Sequence, residues 1–521
     1  MALEPTNLPL AVKKFDALSC GFCAGCGCSC GYILYKKDRR VVDLYGHPKD
    51  PNGMGSFCAK GIAYIQELYD SPLRLKRPYL WGNGRLKEIS LRDAISIAKE
   101  NLKGKVAFLL DRTAGLEEYL LAREISEEVF CDAPYLPFRA SSLRPQEWKD
   151  KRLIIAWEAY PVYSEVMSTR WIVDAIEKGS YLSSISSRYD TLMAKAQRKH
   201  LVTPYEGVRL LEKLMESEER FLKKLLVTMK SSLILVGSSL LLSNFGCKVV
   251  NLLRKLREKF GVDYSLVGDI MPFPAKDLGE FSQKLEAFDT IIVFGNPFRF
   301  LKKESLEKLK GKFVLHFSLF PNLTAHYATL VIPSLGFAER EFINYRHGFG
   351  FLSYSPKTLE PLGVDPYLFL SEVFGTGADL RSFLKLYGID LELLKDSLGG
   401  QGLDIQDVAD VDLPSNLQEP KRSVYICTDN GMVEEMGHWL PWTHEMEKYQ
   451  KAYMSKETAK KLSAREKVNI RGTELEVVIT PNVADDVVFV PSSFEEYQPF
   501  DPGVSVGMFL EKPHYRYEVL E

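Results

Sequence analysis

The stretch that decides the reading is Cys20-Gly-Phe-Cys23-Ala-Gly-Cys26-Gly-Cys28-Ser-Cys30-Gly31, followed by Cys58-Ala59-Lys60-Gly61. Six of the nine cysteines lie between positions 20 and 58, while Cys131, Cys247 and Cys427 are scattered. A disulfide scaffold belongs to small secreted chains. A local cluster within 521 residues points to metal ligation instead. Thiolates suit zinc or an iron–sulfur cluster. The small residues Gly21, Ala24, Gly25, Gly27 and Ser29 let one loop wrap such a group. Zinc ordinarily takes two CxxC-like knuckles, and the second is missing here.

Two ligand registers compete. Cys20, Cys23, Cys26 and Cys30 form C-x2-C-x2-C-x3-C, the bacterial ferredoxin run. That run usually serves two clusters and ends in Pro, but no second run exists and Gly31 takes the Pro position. The alternative is Cys23, Cys26, Cys30 and Cys58, spaced C-x2-C-x3-C-x27-C.

The second register resembles the N-terminal [4Fe-4S] domain of the molybdopterin oxidoreductase superfamily. That superfamily includes formate dehydrogenases and the large iron–sulfur subunit of bacterial complex I. Tyr32–Tyr45 is similar to the hairpin after the third ligand, and Ser71–Ser90 to the link into the next domain. The resemblance implies one [4Fe-4S] cluster on Cys23, Cys26, Cys30 and Cys58, with Cys20 and Cys28 as extra thiols. It places Lys60 between cluster and pterin in catalytic members. Without a pterin, Lys60 is a cation that offsets the cluster charge.

Beyond residue 90 short apolar runs alternate with amphipathic segments. The strands expected are Lys105–Asp111, Arg152–Trp157, Leu233–Gly237, Thr290–Phe294 and Lys312–Phe317. The helices expected between them include Gly115–Phe130, Val166–Lys178, Val249–Phe260 and Lys302–Lys310. This alternation implies parallel sheets covered on both faces. The fold class expected is α/β: a small [4Fe-4S] domain, two interleaved doubly wound α/β domains and a C-terminal β-barrel. The expected division is a cluster domain at 1–78, a discontinuous α/β domain at 79–135 and 225–386, an inserted α/β domain at 136–224, a linker at 387–422 and the barrel at 423–521.

Catalytic members of the family carry Mo or W on two pyranopterin guanine dinucleotides, with a protein ligand to the metal. The resemblance gives Arg188, Gly295, Asn296, Glu339 and Asn344 as the surviving candidates for cofactor contact, together with Lys60. Gly295-Asn296 lies in Phe294-Gly295-Asn296-Pro297, which also reads as a plain turn. The corresponding loop, Trp157-Glu158-Ala159-Tyr160-Pro161, has lost Gly and Asn, and Glu158 repels a diphosphate. Ile185-Ser186-Ser187-Arg188 keeps the Arg of the ribose-binding element without its acid. Glu339 and Asn344 equally read as shaping a buried turn. The catalytic ligand loop is missing from Phe138–Lys151, which leaves Cys131, Ser141 and Ser142 as poor substitutes.

The expectation is an electron-transfer or structural subunit with its pterin site lost. Other redox subunits of NADH, hydrogenase or ferredoxin type are its expected partners. A catalytic Mo/W enzyme such as a small formate dehydrogenase is the alternative. Lys plus Arg is 67 and Asp plus Glu 69, a net charge of −2 that gives no sign of nucleic-acid binding. The uncharged runs 231–247 and 313–338 carry serines, prolines and histidines, unlike membrane spans. Glu4, Pro5 and Pro9 disfavour a signal peptide, so a cytoplasmic location is expected, on that side of any membrane complex. His438 and His444 flank Trp-Leu-Pro-Trp, where packing outweighs catalysis as a role.

The registers make opposite predictions. Cys58→Ser sharply lowers bound iron, and Cys20→Ser does not, when iron per chain is measured after anaerobic purification. The reverse result would establish the ferredoxin run.

Overall fold

A computed structural model describes residues 15–82, 85–111, 114–216, 229–271, 273–376, 379–396, 401–402, 405–412, 417–429, 439–440, 450–492 and 505–520. His438 and His444 lie outside the described residues.

The cluster domain is an antiparallel sheet of β1 (Ala17–Phe22), β2 (Gly31–Lys37) and β3 (Arg40–Gly46). β2 is central and buried from Gly31 to Tyr35. Asp38 and Arg39 both have positive φ (50° and 67°), the conformation a two-residue hairpin turn demands. The helix Ala59–Asp70 presents Ala63, Tyr64, Ile65 and Leu68 to Tyr32, Leu34 and Leu44.

The first large sheet has the order β5-β4-β15-β14-β13-β6-β7. Its strands are β4 (Tyr79–Gly82), β5 (Arg85–Glu88), β6 (Val106–Leu110), β7 (Val129–Cys131), β13 (Thr290–Phe294), β14 (Phe313–Ser318) and β15 (Leu330–Pro333). β15, β14, β13, β6 and β7 are parallel; β4 and β5 extend the edge antiparallel. The second sheet is wholly parallel, in the order β10-β9-β8-β11-β12. It comprises β8 (Leu153–Trp157), β9 (Tyr181–Ser186), β10 (Arg198–Leu201), β11 (Ser232–Gly237) and β12 (Asp263–Val267).

Side-chain alternation explains these continuous apolar runs. Phe108, Leu110, Ile292 and Phe294 enter one core, while Ala107, Leu109, Ile291 and Val293 enter the core on the opposite face. In the second sheet Ile155 and Trp157 separate from Ile154 and Ala156 in the same way. A parallel sheet covered on both faces requires this pattern.

Two readings change. β11 and β12 pair with the second sheet, so its membership runs past the boundary drawn at 225. The helix expected to reach Phe130 ends at Ile125. Ser126 turns extended, and its hydroxyl donates to Val106 O at 2.7 Å. Val129–Cys131 then pairs with β6. Edge pairing in the sheet overrides a helical spacing that Val129 happens to continue.

β16 (Phe342–Arg346), β17 (Phe351–Ser355) and β18 (Gln401–Gly402) form a small sheet beside β1. It is tied there by Phe22 N donating to Ser355 Oγ at 3.0 Å. The last sheet is six-stranded and mixed, in the order β21-β22-β20-β23-β19-β24. Its strands are β19 (Tyr425–Asp429), β20 (Ala452–Met454), β21 (Lys467–Ile470), β22 (Thr473–Ile479), β23 (Val487–Pro491) and β24 (Tyr517–Val519). Tyr425, Cys427, Phe489 and Tyr517 pack into the core of the second sheet. Among the described residues no helix is long and apolar enough to cross a membrane.

The helix Leu116–Ile125 is anchored by charge as well as packing. Arg340, buried, bonds Glu118 and also reaches Glu117 Oε1 at 3.3 Å. Burial first, then Glu118, pushes Glu117 far above the usual carboxylate range, against the pull of Arg340. Removing this cation leaves the buried Glu117–Glu118 pair without its counter-charge. Arg340→Leu is expected to cost about 3–5 kcal/mol, read as a fall in the denaturant midpoint; a loss under about 1 kcal/mol would place this group among weak surface-like pairs.

Candidate metal centre and the crevice beside it

The loop Cys23–Cys30 closes β1 onto β2. Cys23 N donates to Cys30 O at 2.9 Å, and Ser29 N to Cys26 O at 3.1 Å. Ser29 has φ +43°, which turns the chain before Cys30. Gly25 and Gly27 admit neighbours that a Cβ would exclude. A Cβ on Gly25 would lie 2.5 Å from the Tyr64 ring, and one on Gly27 1.6 Å from the His347 ring.

Cys28 shares side-chain hydrogen bonds with Cys26 and Cys30, and its thiol lies 3.4 Å from Ser168 Oγ. Cys23 is within electrostatic reach of Cys30. Cys20 lies on β1, opposite Ile33. Cys58 is the N-cap of the helix Ala59–Asp70, and its sulfur accepts from Gly61 N at 3.5 Å. A helix N-terminus favours a thiolate. Among the described residues no three His, Cys, Asp or Glu side chains converge closely enough for a single ion. A [4Fe-4S] cluster gives each thiolate a different iron, so its donors stand further apart than those of tetrahedral zinc. The donor chemistry and the wrapped loop fit such a cluster.

Lys60 extends from that helix and donates to Tyr163 O at 2.5 Å, bridging the cluster domain to the second sheet. Asn344 Nδ2 donates to Ser29 Oγ at 2.6 Å. Glu339 faces elsewhere. Its carboxylate takes Arg74, Gly336 N (2.7 Å) and Leu362 N (3.2 Å), so it staples a buried turn.

The carboxyl ends of both large sheets open onto a shared crevice. One cavity, ≈ 790 Å³ of empty space with open solvent included, is walled by Cys26, Gly27, Asp111, Tyr119, Cys131 and Asn344, among others. A second, ≈ 590 Å³ on the same measure, lies against Glu158, Tyr163, Ser238, Asp269, Arg299 and Arg516. Ala133 and Asp269 belong to both walls. Doubly wound sheets bind ligands where the strand order reverses. Here those points lie between β6 and β13 and between β8 and β11.

Each reversal holds a carboxylate from the residue following its first strand. Beyond β6, Asp111 Oδ2 accepts Asn296 N at 3.2 Å. Gly295, at φ +70°, is required there because a Cβ would meet that carboxylate at 1.5 Å. Asn296 Oδ1 is taken by Thr324 N (3.1 Å) and Thr324 Oγ1 (2.8 Å), so the pair forms a satisfied turn.

Beyond β8, Glu158 is buried and has φ +46°. It accepts from Ser187 N (2.7 Å), Ser187 Oγ (2.9 Å), Tyr160 OH (2.7 Å) and Tyr517 OH (3.2 Å). Burial pushes this carboxyl up to about 7, opposed by those hydrogen bonds and by Arg188. The Arg188 guanidinium is stacked 4.0 Å from the ring centres of both Tyr160 and Phe489, and 3.6 Å from Asp429.

A pterin dinucleotide brings an anionic diphosphate to such points and needs free backbone N–H groups. The N–H groups of Asn296 and Ser187 already serve internal carboxylates. Those two N–H groups are therefore not free for a diphosphate.

The candidate metal ligands also separate. Ser141 and Ser142 bond Tyr264 and Asp263, at the opposite end of β12 from the cavities. Cys131 lies at the end of β7 in the wall of the larger cavity, its thiol pushed up by burial and then by Asp132. Sequence reasoning singled out Glu158 as hostile to a diphosphate. It missed Asp111 and Tyr517, because nothing in their local sequence shows which loop they will face.

Residues 21–70 match the family model of the molybdopterin oxidoreductase Fe4S4 domain. The F420-dependent formate dehydrogenase subunit alpha of Methanocaldococcus jannaschii is 33% identical over 81 residues, 16% of this chain and 12% of that protein. A nitrate reductase of Symbiobacterium thermophilum is 32% identical over 75 residues, 14% of this chain and 10% of that protein. The matched stretch thus spans about a tenth of these curated relatives. Acetylene hydratase from Pelobacter acetylenicus superposes with a TM-score of 0.71 at 12% identity, covering 96% of this chain and 95% of that one. Residues 21–70 are thus similar to the molybdopterin oxidoreductase Fe4S4 domain, and the chain as a whole shares the fold of that acetylene hydratase.

Proposed function

We propose that this protein is an iron–sulfur electron-transfer or structural subunit of a larger oxidoreductase, similar in role to the large iron–sulfur subunit of NADH-quinone oxidoreductase. One [4Fe-4S] cluster on Cys23, Cys26, Cys30 and Cys58 takes or passes single electrons. Other iron–sulfur subunits, of NADH, hydrogenase or ferredoxin type, supply and accept them on the cytoplasmic side. The observation that carries this reading is the pair of internal carboxylates, Asp111 and Glu158, at the two strand-order reversals. Each takes up a backbone N–H at a reversal and, when ionised, repels a diphosphate.

Within this reading the chain's own residues have definite tasks. Cys58 presents its sulfur at a helix N-terminus, where the thiolate form is favoured. Lys60 places a cation between the cluster helix and the second sheet. Arg188 and Tyr517 tie the C-terminal sheet to the second sheet beside Glu158.

A second reading has one observation in its favour. Cys131 shares a cavity wall with Cys26 and Gly27, so a thiol faces the same space as the cluster loop. That arrangement would suit a Mo or W enzyme related to the formate dehydrogenases. Anaerobically purified protein should contain about four iron atoms per chain, with no Mo, W or zinc and no fluorescent pterin after acid release. Stoichiometric Mo or W with pterin would overturn the relay reading in favour of the catalytic one.

Glu158 provides an independent check. Its midpoint rises from 4.5 to about 7 on folding, so the folded state holds a proton that the unfolded state releases. Stability from this group is complete below the unfolded midpoint and is lost as pH climbs through the folded one. Relative to Glu158→Gln, the wild type should lose roughly 3 kcal/mol of unfolding free energy across that window. Parallel pH profiles of the two proteins would show that Glu158 does not hold the proton.

A further inference from the structure

We propose that Arg346 and Asp50 are a buried charge pair that holds the two cysteine-bearing segments together and in which each charge offsets the other's effect on the reduction potential of the cluster. The inference rests on the cluster reading above and goes beyond it, by naming residues that share no motif with the cysteines.

Arg346 ends β16, on the small sheet beside the cluster domain. Its side chain and that of Asp50 are both 0% exposed. Arg346 Nη2 donates to Asp50 Oδ1 at 2.9 Å and to Cys28 O at 3.3 Å. Asn52 Nδ2 reaches the same carbonyl at 3.5 Å. Asp50 Oδ2 accepts Gly53 N at 2.6 Å, within the turn that leads to Cys58. One guanidinium nitrogen therefore joins the Cys26–Cys30 loop to the approach of Cys58.

The neighbours of Arg346 act on the same loop. Asn344 bonds Ser29, Arg346 bonds Cys28 and the His347 ring occupies the space over Gly27. Three residues of one hairpin address three consecutive residues of the ligand loop. His347 Nε2 is held 2.6 Å from Glu165 Oε1, so it is a separate pair and leaves Asp50 to Arg346.

The guanidinium is kept from water. Its central carbon lies 4.6 Å from the ring centre of Phe349, 5.0 Å from Phe22 and 5.5 Å from Phe351. Nε and Nη1 are buried and make no hydrogen bond among the described residues. A charge in such surroundings is weakly screened and acts strongly over short range. Reduction adds one negative charge to the cluster. Arg346 favours that step and Asp50 opposes it, so together they nearly cancel. Removing either one strands the other and moves the potential in a predictable direction.

The test is an anaerobic redox titration of the full-length holoprotein, followed by electron paramagnetic resonance of the reduced cluster, with iron measured on each sample. Arg346→Gln should lower the midpoint potential, and Asp50→Asn should raise it. The double variant should return close to wild type, with iron per chain preserved. Shifts of the same sign, or none with iron intact, would overturn the proposal, because a purely structural clamp would not give opposite signs. Should Arg346→Gln lose its iron, Asp50→Asn decides alone: a raised potential supports the pair, and an unchanged or lowered one overturns it. Wild-type protein without iron would refute the cluster reading itself, which separates that failure from this one.

Discussion

Parallel strands that pair must run the same way, so the loops that follow them collect at one edge. In this protein two such edges share one crevice, and the cluster loop forms part of its wall. Each sheet is covered by an apolar core on both faces, which holds it in place against its neighbours. Burial on both faces is thus the constraint on which the rest depends. It brings Asp111 and Glu158, far apart in the chain, to equivalent positions after β6 and β8.

The carboxylates at the two strand-order reversals are held by the protein's own donors. Asn296 N and Ser187 N serve internal carboxylates, and the Glu158 carboxyl is surrounded by four donor groups. Buried carboxylates without such donors would be prohibitively unfavourable. Once they are satisfied internally, an external anion has less to gain. The C-terminal sheet adds Tyr517 against Glu158, and Phe489 and Asp429 against Arg188.

Near the cysteines the design differs. The loop is made of small residues and backbone hydrogen bonds, so its shape depends on what is packed around it. Tyr64 lies against Gly25, His347 against Gly27, and Ser29 accepts from Asn344. Cluster binding and domain packing are therefore coupled.

Much of this was legible locally. Cysteine spacing pointed to the cluster, and short apolar runs between helical segments pointed to parallel sheets. Glu158 could be read as hostile to a diphosphate from its place in Trp157-Glu158-Ala159. The end of the helix at Ile125 was not legible, because Val129 continues a helical spacing and only pairing with β6 makes it a strand. The assignment of β11 and β12 to the second sheet was equally hidden, since strand order depends on long-range pairing.

The sequence by itself determined the local clustering of cysteines, the alternation of strands and helices, and the acid at Glu158 after its strand. These follow from residue type and short spacing, which act through local chemistry. Only the tertiary structure decided that Gly295 makes room for Asp111, that Glu339 staples a turn, and that Arg346 meets both Asp50 and Cys28. Those partners lie up to hundreds of residues apart, and their meeting depends on how sheets and hairpins pack, which no local pattern encodes.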